Sequence, residues 1–186
     1  MLLFFWVLLT AFSRLVTEVE SAWLLYQFKF SFGLLVALFF QIFTLYFPYR
    51  TKINLFHQAL IVSSVILSVI IFMAWPQAAI NNISILSGNS LVAVNKIYWT
   101  LFSFSFTLCF FVAFFRLYKK WREQSDFLKT QIQFVLFSAL IPTVFAWFFN
   151  ITFFFFNEFN YDWLGAFLTF LFSFPLYYFV FYYQKD

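Results

Sequence analysis

The chain has 186 residues, of which 65% are hydrophobic, 28% aromatic and only 10% charged, with 36 Phe, one Cys and a formal net charge of +4. Soluble domains carry about 25% charged residues, so this composition, with a mean hydropathy of +0.90, excludes a water-soluble enzyme. It also excludes a disulfide scaffold, which one Cys cannot build, and a disordered chain, which needs low hydrophobicity and high charge.

The remaining solvent is lipid. A helix crossing roughly 30 Å of hydrocarbon takes about 20 residues, and apolar segments fall at about 1–17, 22–47, 54–75, 97–117, 131–156 and 163–183. The runs are continuously apolar, without the period-two alternation of a barrel strand. The expectation is an all-α polytopic membrane bundle of about six helices, one transmembrane domain over 1–186.

The first segment, MLLFFWVLLTAF, is short and is followed by Arg14. A signal peptide would need a basic start and a small-residue cleavage site, and neither is present. A short crossing with Arg14 snorkelling to the interface fits better, as does a clipped start. The second segment carries one charge, Lys29, and stops at Pro48, which cannot continue a helix. The third stops at Pro76. A polar stretch follows, with Asn81, Asn82, Ser87, Gly88, Asn89 and Ser90, and is expected to be a loop. The fourth segment ends in a charged link containing Arg116, Lys119, Lys120, Arg122, Glu123, Asp126 and Lys129. Pro142 and Pro175 lie inside the fifth and sixth segments, where each frees a carbonyl one turn back and provides a kink or hinge.

Orientation follows from Lys and Arg. One side receives Arg50, Lys52, Arg116, Lys119, Lys120, Arg122, Lys129 and Lys185, eight of the eleven basic residues. The excess of basic residues marks the cytoplasmic side, so both termini are expected in the cytoplasm. The other side holds Glu18, Glu20, Glu158 and Asp162.

Lys29 is the sharpest anomaly. A lysine at the centre of a span costs about 2.5–3.5 kcal/mol on insertion scales. It therefore either snorkels or faces a cavity or an acid, with Glu18, Glu20, Glu158 and Asp162 as partners on the outer side. Asn150 is a polar group in a Phe-rich helix, suited to interhelical hydrogen bonding or to a ligand pocket. Lys29 and Asn150 are thus the candidate ligand-binding residues. Gly33/Ala37, Ser64/Ser68 and Gly165/Thr169 are small-residue pairs that let helices approach closely. One His and one Cys build no zinc site, no nucleophile–base set is visible, and three glycines make no phosphate loop. No catalytic, metal or cofactor site is expected, and the few scattered charges offer nothing to nucleic acid.

From Ala22 to Lys185 the chain resembles the seven-transmembrane sensor region at the N-terminus of many bacterial histidine kinases. The matching features are Phe43, Phe47, Pro48 and Arg50 closing one helix, and Leu117-Tyr118-Lys119-Lys120 opening the cytoplasmic link. Gln131 and Gln133, then Leu140-Ile141-Pro142, Asn150 and Gly165 follow in the last two helices. The family's first helix, its phospho-accepting histidine region and its ATP-binding domain have no counterpart here, so His57 is not given the phospho-acceptor role. The resemblance implies a sensor or receptor module in the bacterial plasma membrane, without catalysis of its own. Lys119, Lys120 and Arg122 would form its cytoplasmic signalling link. Its implied partners are the lipid bilayer, a histidine kinase or other cytoplasmic signalling protein, and a second copy of the chain. The competing readings are a small-solute-binding transport subunit, similar to the capture subunits of energy-coupling vitamin transporters, and a membrane scaffold without a ligand.

Overall fold

The computed structural model describes residues 2–13, 15–52, 55–86, 89–152, 164–165, 167–169 and 171. Helix α1 spans Leu2–Phe12, α2 Val19–Tyr46, α3 Leu55–Ala74 and the single turn α4 Pro76–Ala79. Strands β1 (Ile80–Leu86) and β2 (Asn89–Val94) come next. Helix α5 (Lys96–Glu123), helix α6 (Asp126–Trp147) and a π-helical segment, Phe148–Thr152, complete the described order. The expected sixth span, with Pro175, lies outside the described residues apart from positions 164, 165, 167–169 and 171.

The protein is an all-α membrane bundle. Helices α2 and α5, and Phe127–Trp147 of α6, are each long and apolar enough to cross a bilayer. Helix α3 has 20 residues and rises about 30 Å at 1.5 Å per residue, a length that matches the hydrocarbon core, with Ile61–Ala74 as an apolar stretch within it. What decides for lipid is that both faces of the long helices are apolar. On α5, Phe102, Phe106, Cys109, Ala113 and Leu117 are buried, while Leu101, Phe104, Phe111 and Phe115 are exposed, Phe111 by 66%. Water would penalise that outer face, whereas acyl chains match it.

Inside the bundle, apolar burial gives little net drive because lipid is equally apolar, so packing contacts and hydrogen bonds hold the helices together. The phenylalanines supply much of this packing. Phe102, Phe106, Phe110 and Phe114 recur every fourth residue on α5, the spacing that stacks side chains along one helix face. Their successive ring centroids are 6.2, 4.9 and 5.9 Å apart. Phe30 of α2 meets Trp99 at 5.0 Å and Phe102 at 5.8 Å. Phe40 meets Phe110 at 5.5 Å and Phe114 at 5.6 Å. Residue numbers on α2 and α5 rise together along this seam, so the two helices run parallel, with α3 returning between them in sequence. Phe72 of α3 closes the cluster against Tyr98 and Phe102, and the Tyr98 hydroxyl donates to the Ser68 carbonyl.

The polar stretch expected to be a loop is an antiparallel hairpin, with Ile80 opposite Val94, Ile83 opposite Val92 and Leu86 opposite Asn89. Its apolar residues face the core across the polar ones. Ile80, Ile83 and Val92 are buried in the main core cluster, while Asn81 and Asn82 are exposed. Apolar arms on either side of the turn-forming Ser87 and Gly88 favour paired strands over a free loop, and the step of three from Ile80 to Ile83 spans the irregularity in pairing. A register irregularity between Ile80 and Asn82 bends the first strand.

The helix ends also differ from the apolar segments. Helix α5 continues six residues beyond Leu117, through most of the charged link, and α6 begins at Asp126 rather than near Gln131. Lys, Arg and Glu are good helix formers, Lys120 and Arg122 in the last turn suit the helix dipole, and Lys119 lies 4.0 Å from Glu123 one turn on. Apolarity marks the immersed part of a helix, not its length. Within the expected fifth span, α6 runs on through Pro142, and the helical hydrogen-bonding changes only at Phe148–Thr152.

Candidate functional site

The C-terminal end of α2 leaves carbonyls without helical partners. Two cations of α5 serve these and neighbouring carbonyls before and after the helix end. Lys120 Nζ donates to the carbonyls of Thr44 at 2.9 Å, Phe47 at 2.6 Å and Tyr49 at 2.6 Å, and more weakly to Leu45 at 3.4 Å. One turn earlier, Arg116 Nη1 donates to the Gln41 carbonyl at 3.0 Å and to Thr44 Oγ1 at 3.1 Å. Placing cations at a helix C-terminus is favourable to the dipole as well as to the carbonyls. Lys120 is 1% exposed, and its ammonium also stands 4.8 Å from the Tyr49 ring centroid.

The clasp extends to α3. Gln41 and Gln58 exchange two amide hydrogen bonds, at 2.9 and 3.0 Å, and Gln41 is fully buried. Beyond the helix, a cis Phe47–Pro48 bond turns the chain, and the Thr51 amide donates back to the Leu45 carbonyl at 2.9 Å. One polar network therefore joins the ends of α2 and α5 to the first turn of α3. Leu117, Ile132 and Val135 pack beside it, with Phe43, Phe47 and Trp121 around them, which brings α6 to the same end.

Lys29 lies about 15 Å along α2 from Val19 and is 1% exposed. It is buried rather than extended to the surface. Its ammonium is 5.1 Å from the Tyr26 ring centroid and 6.0 Å from that of Phe30. Trp6, Gly33, Trp99, Phe102 and Phe106 surround it at a cavity of about 20 Å³, room for one water. A neighbouring cavity of about 30 Å³ shares Trp6, Gly33 and Phe106 and adds Thr143 and Thr169. The close approach of α1 explains Gly33: a Cβ there would lie 3.3 Å from Trp6 Nε1.

The residues expected from sequence separate into distinct places. Lys29 and the clasp lie toward opposite ends of α2. Of the proposed signalling link, Lys120 is the buried clasp, while Lys119 and Arg122 are exposed. Pro142 is buried within α6. Asn150 falls in the π-helical segment, with its side chain outside the described set. Glu18 and Glu20 are exposed, and Glu158 and Asp162 lie outside the described residues. Among the described residues no group of three His, Cys, Asp or Glu is placed to hold a metal ion. Gln41, Thr44, Gln58 and Arg116 were not among the expected site residues. Their signal in the sequence is polar groups spaced three apart in an apolar run, Gln41 and Thr44, and a cation one turn before Lys120.

No family model, curated protein or solved structure matches the chain.

Proposed function

We propose that this chain is a multi-pass sensor module of the plasma membrane, in a signal-transduction system of the two-component type, with both termini in the cytoplasm and no catalysis of its own. The observation that supports this reading is the buried clasp at the basic end of the bundle. Lys120 and Arg116 tie α5 to the end of α2 immediately before the charged turn into α6. A shift of either helix at the hairpin end would have to move or break these hydrogen bonds, and the α5–α6 turn would follow. Such a device carries a signal only if the stimulus binds one helix arrangement better than another. On this reading the stimulus enters from the outer side or from the bilayer, near Lys29, Asn150 and the hairpin, and the turn delivers it to a histidine kinase or similar cytoplasmic partner.

Gene order tests the proposal. A histidine kinase or response regulator encoded beside this reading frame is the expected result. A transporter ATPase in its place would overturn the sensor reading in favour of a solute-capture subunit, and neighbours unrelated to either would leave a scaffold.

A further inference from the structure

The clasp divides the cations at its end of the bundle into two groups. Arg116 and Lys120 point inward and are engaged by carbonyls. Arg50, Lys52, Lys119, Arg122 and Lys129 are exposed. The only acids in the same stretches of sequence are Glu123 and Asp126, and Glu123 sits 4.0 Å from Lys119. The exposed cations are therefore in excess, and the clasp fixes where they stand. Tyr49, whose carbonyl receives Lys120, precedes Arg50. Trp121 follows Lys120 in α5, and its ring lies 5.2 Å from Lys129 Nζ of α6.

Their surroundings are not those of a surface in bulk water. Tyr46, Leu55, Tyr118, Phe127 and Leu128 are exposed at the same end. Arg50 lies 6.0 Å from the Tyr46 ring, and Tyr118 lies 5.8 Å from Trp121. Lys129 is only two residues inside the apolar stretch Phe127–Trp147. Mixed aromatic, aliphatic and basic side chains at the edge of apolar helices are the composition of the headgroup layer.

We propose that this rim binds the phosphodiester headgroups of anionic phospholipids, with Arg50, Lys52, Arg122 and Lys129 as the contacting cations. The inference rests on the membrane-bundle fold and is independent of any sensor role. A soluble acidic partner would need the cations clear of the bilayer, whereas here they share their turns with lipid-facing apolar residues.

The full chain, reconstituted in phosphatidylcholine vesicles, is to be probed with spin-labelled phosphatidylglycerol and spin-labelled phosphatidylcholine. The expected result is an association preference of about fivefold or more for phosphatidylglycerol, the effect of roughly one basic contact per lipid. It should fall to about unity in the R50Q/K52Q/R122Q/K129Q variant and persist in the charge-keeping R50K/R122K variant. Salt supplies a measurement that needs no variant: near 1 M, where the screening length is about 3 Å, the native chain should lose its preference. Excess inorganic phosphate should not displace the labelled lipid. Equal association of the two lipids with the native chain would overturn the proposal. So would a preference unchanged by high salt, displacement by free phosphate, or basic-residue-dependent capture of polyglutamate without lipid selectivity.

Discussion

Replacing Lys120 with Met tests the clasp directly. Methionine keeps the apolar stem but removes the ammonium that serves four carbonyls. The Leu45 carbonyl retains the Thr51 amide at 2.9 Å and the Thr51 hydroxyl at 3.3 Å. The carbonyls of Thr44, Phe47 and Tyr49 lose their Lys120 donor. A buried acceptor left unsatisfied costs about 1–3 kcal/mol, so the gross loss is on the order of 3–9 kcal/mol. Against it stands the desolvation of the ammonium, several kcal/mol, which the variant no longer bears. The net destabilisation is therefore about 3 kcal/mol, corresponding to a fall in melting midpoint of roughly 6–12 °C for a chain of this size. Cys109 is the single cysteine and is fully buried, so a thiol-reactive dye in detergent reports unfolding without a label. Lys119→Met is the control: its side chain is 70% exposed, and the midpoint should move by no more than about 0.5 kcal/mol equivalent. Equal midpoints for the two variants would refute the clasp.

The Gln41–Gln58 pair should show coupling in the same assay. Gln41→Leu alone leaves one amide facing an apolar partner and should cost about 1–2 kcal/mol, while the double Leu variant should recover part of that loss; strict additivity would argue against the pair. Gly33→Ala should be near neutral, because helix propensity gains about 1 kcal/mol against a 3.3 Å contact with Trp6. Gly33→Leu should overpack the site and destabilise by about 1–3 kcal/mol, and equal tolerance of Leu and Ala would show that α1 does not pack there. Asn95 caps α5 by accepting from the amides of Ile97 at 3.0 Å and Tyr98 at 3.5 Å. Asn95→Ala should therefore cost about 1 kcal/mol, whereas Asn95→Asp should retain most of the midpoint.

Composition was enough to read the bundle, because apolar residues on every face of a 20-residue run have no other stable solvent. Span edges were harder. Leu117 ends the apolar run of α5, but four of the six residues after it, Lys119, Lys120, Arg122 and Glu123, are good helix formers, so the helix outlasts the apolarity. The hairpin was hard to read because Ile80 and Ile83 are three apart, a step set by the irregularity in pairing rather than by strand alternation, and the Asn and Ser between the apolar residues give the stretch a loop's composition. Lys29 stood out because one charge in an apolar run is conspicuous. Lys120 did not, because it lies among six other charged residues of the link, and only the tertiary approach of α2 separates it from Lys119. Gln41 and Gln58 are distant in sequence and meet only when α2 and α3 pair.

In the proposed orientation the hairpin lies outside the cell and the α5–α6 turn inside. Single cysteines placed at Asn81 and at Arg122 in a Cys109→Ala background, labelled with a membrane-impermeant maleimide, measure this. Asn81→Cys should label in intact cells, and Arg122→Cys only after permeabilisation. The reverse pattern, or labelling of both sites from outside, would contradict it.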